Sequence, residues 1–159
     1  MLTRRQQYLA SIASLLGGLD VDSFSDRLLL QKRMFFISML GMDLGYTHTW
    51  YIRGPYSPAL TKDAFEIRNE EQGGGQPILM RLPENVSKSV KNVISLFGDK
   101  WNNPSEMELL ASLYYLAKTR NTSEPSVLAE KLTSLKGHYS QEDAERGIKF
   151  LIKQGLLNV

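Results

Sequence analysis

The chain has 159 residues, of which 42% are hydrophobic and 23% charged. This is the composition of an ordinary globular domain, and it excludes a disordered or fibrous chain. The absence of cysteine excludes disulfides, thiolate metal sites and cysteine nucleophiles, and no apolar run approaches the roughly 18 residues of a membrane span. We therefore expect a soluble cytoplasmic protein with no membrane partner, and the net charge of +2 is too small to indicate nucleic-acid binding.

The first part of the chain predicts two helices. Residues 4–16 carry apolar side chains at helical spacing, so we expect a packed helix here rather than a removable leader sequence. Ser23 or Ser25 is placed to cap a second helix that extends to about Gly41. Apolar residues cover most of its circumference, which predicts that this is the central buried helix.

The middle of the chain predicts a small β-ribbon and a third helix. Residues 47–52 are rich in β-branched and aromatic side chains and predict a short strand, which Gly54 and Pro55 then break. A helix of about 14 residues begins near Pro58, a good first-turn residue. Residues 77–82 predict a second strand, and we expect it to pair with the first.

The last part of the chain predicts four more helices. They cover about 84–97, 104–119, 125–135 and 140–155, each bounded by proline, serine or glycine signals. The linker at 99–103 is the only candidate subdomain boundary, and we predict a single domain over residues 1–159.

The final part of the chain predicts helix, turn, short helix, turn and helix, and it closes on Leu151-Ile152-Lys153-Gln154-Gly155-Leu156-Leu157. Over about 55 residues this pattern resembles a winged-helix DNA-binding domain. Two features disfavour DNA as the partner. The helix that would read the duplex opens with Glu142, Asp143 and Glu145, which would face the phosphates, and the sequence ends at Val159 before a wing. The sequence therefore predicts a mainly α fold of about seven helices with a two-stranded β-ribbon, and a C-terminal tri-helical unit that lacks a wing.

The sequence contains no recognisable catalytic or metal-binding apparatus. The only histidines, His48 and His138, lack carboxylates at ligand spacing, and we expect both to be solvent-facing loop residues. No nucleophile elbow, metalloprotease motif or phosphate-binding loop occurs. We therefore predict no metal, no cofactor and no enzymatic activity, although a catalytic site that sequence does not reveal stays an alternative.

Lys32 is the first of two unusual features in the second helix and the segment that follows. Its neighbours one turn away along the helix are all apolar, namely Leu28, Leu29, Phe35 and Phe36. Its ammonium must therefore reach solvent past these side chains or meet a partner inside the protein. We expect it to emerge at an opening framed by residues 50–56.

The second feature is a group of aromatic and arginine residues around a Gly-Pro turn. Such residues are enriched at binding hot spots, although a lid packed on the second helix would use them as well. We predict a partner-binding surface here. Its residues are Lys32, Arg33, Trp50, Tyr51, Arg53 and Tyr56.

Two stretches of this region carry a family resemblance. Leu30-Gln31-Lys32 and the run Gly54-Pro55-Tyr56-Ser57-Pro58 resemble the YwgA-like family of small prokaryotic proteins, which pairs a Leu-Gln-Lys helix with an aromatic strand ending in this turn. More distantly, the segment is similar to the Panacea antitoxin domain. The resemblance implies a mainly helical fold and, through the distant relatives, a protein that binds and neutralises a toxin.

These observations favour a non-enzymatic binding or regulatory protein that engages a protein partner, and a toxin is one candidate for that partner. A DNA-binding transcriptional regulator that uses the C-terminal helices stays the main alternative. The sequence does not determine the oligomeric state, and a homodimer stays open.

Overall fold

A computed structural model describes residues 1–74, 80–122 and 124–158 of the chain. Within these residues the fold is mainly α, with seven α-helices and one two-stranded antiparallel sheet, as the sequence predicted. The helices are α1 (Arg4–Leu15), α2 (Phe24–Leu40), α3 (Pro58–Gln72), α4 (Glu84–Phe97), α5 (Pro104–Arg120), α6 (Pro125–Leu135) and α7 (Gln141–Lys153). The strands are β1 (Thr49–Tyr51) and β2 (Gly54–Tyr56).

Local hydrogen bonds explain where several helices begin. Ser23 accepts a hydrogen bond from the backbone N–H of Asp26, whose carboxylate in turn accepts from the Ser23 N–H. The same reciprocal capping box opens α1 at Thr3 and α7 at Ser140. Proline occupies the first turn of α3, α5 and α6, where its missing N–H costs no helical hydrogen bond.

The core is organised around α2 and α5, which pack against each other. Phe35 and Phe36 of α2 are buried, and both contact the ring of Tyr114 on α5 edge-to-face. The α1 helix packs on α3 and α4, with Leu9 and Ile12 fully buried. The prediction that α1 is part of the folded core is therefore confirmed. No described helix has the length and apolar character to cross a bilayer.

The ribbon forms within one hairpin, which corrects the predicted pairing. Thr49–Tyr51 pairs with Gly54–Tyr56, in register from Thr49 opposite Tyr56 to Tyr51 opposite Gly54. Pro55 is tolerated because both strands of a two-stranded ribbon are edge strands, where a residue without an N–H can face away from the partner strand. Gly54 adopts the positive φ of +95° that closes the turn. Of the strand predicted over 77–82, residues 77–79 lie outside the described part of the chain, and 80–82 carry no strand.

The last three helices form a compact unit, since α6 packs on α7 and both pack on α5. Gly147 permits the close approach of α7 to α5, because a side chain at this position would meet the Leu113 side chain at 2.7 Å. No strand follows α7 over residues 154–158, so the described unit lacks a wing. The expected boundary at 99–103 largely coincides with a 3₁₀ segment, Gly98–Asn102, in which Trp101 is buried against Phe97.

Candidate functional site

A groove of about 410 Å³ lies beside the hairpin, between the ribbon, the start of α2 and the middle of α3. Its volume falls within the range of about 300–1,000 Å³ that is typical of ligand sites. Most of its surface is apolar. The apolar lining residues are Phe24, Leu28, Tyr51, Ile52, Tyr56 and Phe65, and the polar ones are Arg27, Gln31, Lys32, Arg53 and Thr61.

Large apolar side chains at the groove remain in contact with solvent. Phe24 is 54% exposed, Tyr51 58% and Ile52, at the hairpin tip, 75%. Tyr51 stacks on Tyr56 with 5.4 Å between ring centroids, which holds both rings at the groove wall. These side chains all line the same groove, whereas exposed apolar residues that occur singly need no explanation. We name the groove, together with these side chains, the hairpin groove.

Lys32 lies beneath the hairpin and is only 1% exposed. Its Nζ donates a hydrogen bond to the backbone oxygen of Pro55 at 2.7 Å. The expectation that this amine reaches solvent was wrong: because the ribbon folds back over α2, the hairpin backbone supplies the partner. Burial lowers the pKa of Lys32 to about 7, and the nearby Glu108 carboxylate only partly opposes that shift.

Glu108 on α5 is the buried carboxylate of this region. It accepts a hydrogen bond from the hydroxyl of Tyr139 at 2.7 Å and lies 3.3 Å from Nε2 of His138. It also forms ion pairs with Arg53 at 3.6 Å and with Lys136 at 3.8 Å. Burial, reinforced by the bond to Glu108, raises the pKa of the Tyr139 hydroxyl well above its ordinary value, so that hydroxyl remains a donor.

Three lysine and arginine side chains therefore share one carboxylate, that of Glu108. Lys32, Arg53 and Lys136 all interact electrostatically with Glu108. Burial lowers the pKa of Lys136 as well, because its side chain is 3% exposed. Positive charge thus exceeds negative charge beneath the hairpin whenever the lysines are protonated.

The hairpin is fixed to the helices by a few specific contacts. The Lys136 Nζ donates a hydrogen bond to the backbone oxygen of Ile52, and Trp50 packs on Tyr115 of α5 with 5.7 Å between rings. Gly54 lies so close to α5 that a Cβ there would stand 2.5 Å from the Ser112 hydroxyl. The hairpin therefore rests directly on α5 side chains.

Two polar atoms near this junction lack a hydrogen-bond partner among the described residues, namely Nε2 of His48 and Oγ of Ser112. His48 is not the solvent-facing loop residue we expected, because its ring packs edge-to-face on Phe35 at 5.5 Å. Burial, and then the charge of Lys32, lower the pKa of His48 to about 4. Its imidazole is therefore neutral at physiological pH. His138, in contrast, is exposed as predicted.

The predicted partner-binding residues divide into two groups. Lys32, Tyr51, Arg53 and Tyr56 all line the hairpin groove. Trp50 does not line it, because successive side chains of a strand point to opposite faces and Trp50 faces α5.

Arg33 also lies away from the groove, next to the 3₁₀ segment. Its Nε donates to the Trp101 backbone oxygen at 3.0 Å, and its second guanidinium nitrogen donates to the Asn102 side chain at 2.8 Å. The binding role of all six predicted residues remains a prediction.

Sequence reasoning missed both the far wall of the groove and the buried carboxylate. Phe24 and Phe65 come from the first turn of α2 and from α3, and no local pattern links them to the hairpin. Glu108 did have a signal, since it is a carboxylate flanked by Met107 and Leu109 in the mostly apolar stretch 107–117.

No group of described side chains could hold a metal ion. Comparisons with protein-family models, with curated proteins and with solved structures each find no match.

Proposed function

We propose that this chain is a non-enzymatic binding protein that engages a partner protein through the hairpin groove. The observation that carries the proposal is the exposure of three large apolar side chains, Phe24, Tyr51 and Ile52, along one groove. Rigid aromatic side chains next to arginine are the residues most enriched at binding hot spots. Tyr51 and Arg53 bring both types together at the hairpin.

The position of the reactive groups also supports binding over catalysis. The Lys32 amine is bonded to the hairpin backbone, and Glu108 is 3% exposed and surrounded by its own donors. A general acid or base must come within hydrogen-bond reach of its substrate, directly or through one water molecule. The groups most exposed at the groove are instead aromatic rings, an isoleucine and a guanidinium.

The resemblance to the YwgA-like family and, more distantly, to the Panacea antitoxin domain suggests the kind of partner. On that basis we propose that the partner is a toxin and that binding neutralises it. A tip that offers Tyr51 and Ile52 to solvent suits insertion into another protein's surface, because stacking on Tyr56 already holds the Tyr51 ring in place in the free chain.

Quantitative affinity purification from the native host tests the proposal. Tagged wild type is compared with a Tyr51→Ser/Ile52→Ser double variant and with Met39→Gln, a matched control. Met39 is an exposed apolar residue of α2, 48% accessible, that does not line the groove. We expect at least one protein to be retained by wild type and by Met39→Gln and lost by about tenfold or more from the double variant. Identical retention by all three chains would contradict the proposal.

A further inference from the structure

We infer that the hairpin groove binds a peptide segment of the partner in which an acidic side chain stands next to an aromatic or aliphatic one. This inference rests on the proposed function, because it specifies the chemistry of the partner at the same site. It is carried by the combination of an apolar groove with cationic side chains that no carboxylate of the lining balances.

The described residues that line the groove include three basic side chains and no acidic one. Arg27 and Lys32 come from α2, and Arg53 comes from the hairpin turn. The Lys32 amine is buried against the Pro55 backbone oxygen with a lowered pKa, so Arg27 and Arg53 supply the positive charge. The nearest carboxylate, Glu108, lies beneath the hairpin and is shared with Lys136. A groove with this charge attracts an anionic segment and disfavours a basic one, since like charges brought together on binding are costly.

Arg53 is the side chain best placed to contact a bound carboxylate. It is 52% exposed, and its guanidinium lies 5.4 Å from the centre of the Phe24 ring at the groove wall. Its described ion pair with Glu108 spans 3.6 Å, which is longer than a hydrogen bond. A guanidinium carries five N–H donors, so Arg53 keeps donors available for a second carboxylate.

The other acidic residues near the groove are already engaged. Asp26, next to Arg27, accepts from the Ser23 N–H as part of the α2 cap. Asp22 forms an ion pair with Arg68 at 2.7 Å. Neither carboxylate lines the groove, and neither forms an ion pair with Arg27 or Arg53 among the described residues.

The apolar lining defines the other half of the ligand. An anion alone would gain nothing from Leu28, Tyr56 and Phe65, whereas an aromatic or aliphatic side chain would bury these surfaces. Ile52, exposed at the hairpin tip, extends the apolar surface outwards from the groove. The surface available for contact is therefore larger than one small molecule would cover. A peptide segment, with side chains on a connected backbone, meets both requirements.

Peptide display supplies the first test. Random peptides of about twelve residues are selected on the immobilised full-length chain and counter-selected on the Tyr51→Ser/Ile52→Ser variant. We expect the surviving peptides to be enriched in Asp or Glu next to aromatic or aliphatic residues. Groove-dependent peptides that lack acidic residues, or that are rich in Lys and Arg, would overturn this inference and leave the proposed function standing. Failure to enrich any groove-dependent peptide would contradict both.

The best peptide is then labelled and its affinity measured by fluorescence anisotropy. We expect Arg53→Gln to weaken binding by about tenfold, as loss of a charge-assisted hydrogen bond does. Arg120→Gln is the charge-matched control, because Arg120 is exposed at the end of α5 and does not line the groove. Equal losses from the two variants would overturn the inference. Thermal melts of both variants establish that the fold is retained, and Arg27→Gln provides a second groove variant if Arg53→Gln unfolds.

A double-mutant cycle tests direct contact. If Arg53 contacts the peptide carboxylate, a Glu→Gln peptide should bind the Arg53→Gln variant no more weakly than it binds the wild type. If the two substitutions instead reduced the affinity independently, so that their effects multiplied, a direct contact would be contradicted.

Two other occupants of the groove, a small apolar acid and a second copy of the chain, are tested with decanoate and by sedimentation. Saturable decanoate binding at micromolar concentration, or self-association abolished by the Tyr51→Ser/Ile52→Ser variant, would assign the groove to a small apolar acid or to a second copy of the chain.

Discussion

Two charged clusters, one around Asp63 of α3 and one around Lys32 of α2, differ in how many hydrogen-bond partners their buried groups have. In the first, Asp63 accepts hydrogen bonds from Arg5, Gln6 and Tyr46 at 2.6 to 3.1 Å. In the second, beneath the hairpin, the described amine of Lys32 has a single acceptor, the Pro55 backbone oxygen. A buried group with every partner in place stabilises a fold, whereas a group with few partners is costly to keep and is more often tied to function.

The pKa shifts follow the same division. Burial and the bond to Asp63 raise the pKa of the Tyr46 hydroxyl well above its ordinary value, which keeps it a donor to a carboxylate that needs one. Lys32 is shifted towards its neutral form, against its ordinary charge. We therefore regard the Asp63 cluster as structural and the Lys32 cluster as the support of the binding site.

Asp63→Ala should have the largest effect on stability. It leaves the donors of Arg5, Gln6 and Tyr46 without their acceptor, and breaking a buried charged network in this way costs about 3 kcal/mol or more of unfolding free energy. We expect the melting temperature to fall by roughly 6–12 °C. Glu71→Gln, an exposed position on the same helix, is the control and should change stability by less than about 0.5 kcal/mol. A loss below about 1 kcal/mol for Asp63→Ala would show that the cluster is not structural.

Glu108→Gln should have the next largest effect. Glutamine can still accept from Tyr139, but it removes the negative charge that Lys136 and Lys32 share, and we expect a loss of about 2 kcal/mol in urea unfolding. Adding Lys136→Met should restore part of that loss, because the unbalanced buried cation is then gone. Strictly additive losses in this cycle would mean that Glu108 and Lys136 do not interact.

Comparing the pH dependence of stability in wild type and Lys32→Met tests whether folding lowers the pKa of the Lys32 amine. The groups that face Lys32 are Glu108, Lys136 and His48. Its pKa is about 7 in the folded chain, against 10.5 as its ordinary value. Between these values the unfolded chain holds a proton that the folded chain has released, so rising pH favours folding. Below about pH 7 both states are protonated, and the cost of the buried charge is constant.

We therefore expect the stability of wild type, relative to Lys32→Met, to increase from pH 7 upwards by up to about 1.4 kcal/mol per pH unit. Urea unfolding of both chains between about pH 7 and pH 9 measures the difference. Groups that titrate alike in both chains cancel in this comparison. A difference that stays constant with pH would mean that Lys32 keeps its ordinary pKa in the folded chain.

The sequence predicted the helices well because their signals are local. Capping serines, first-turn prolines and the apolar pattern of α2 lie within a few residues of the boundaries they set. Lys32 was also found from its own helix, as a charge among apolar neighbours. Its environment could not be predicted, because Glu108 and Lys136 reach it only through the packing of α5 and the turn after α6. The strand pairing was wrong because Gly54 and Pro55 suggest a break in a strand, whereas here they begin one.

Ile52→Ser should have the smallest effect on stability. It tests whether the hairpin tip contributes to binding alone, unlike the residues that pack beneath it. Ile52 is 75% exposed, so its side chain has little apolar area left to lose. The bond from Lys136 goes to its backbone oxygen, which serine retains. We expect a change in unfolding free energy below about 0.5 kcal/mol, together with loss of the groove-dependent partner or peptide.

Trp50→Ala is the contrasting variant on the other face of β1, where contact with Tyr115 predicts a larger loss of stability. If Ile52→Ser unfolded the chain as readily as Trp50→Ala, the hairpin tip would belong to the core, and its exposed side chains would not be a surface kept for binding.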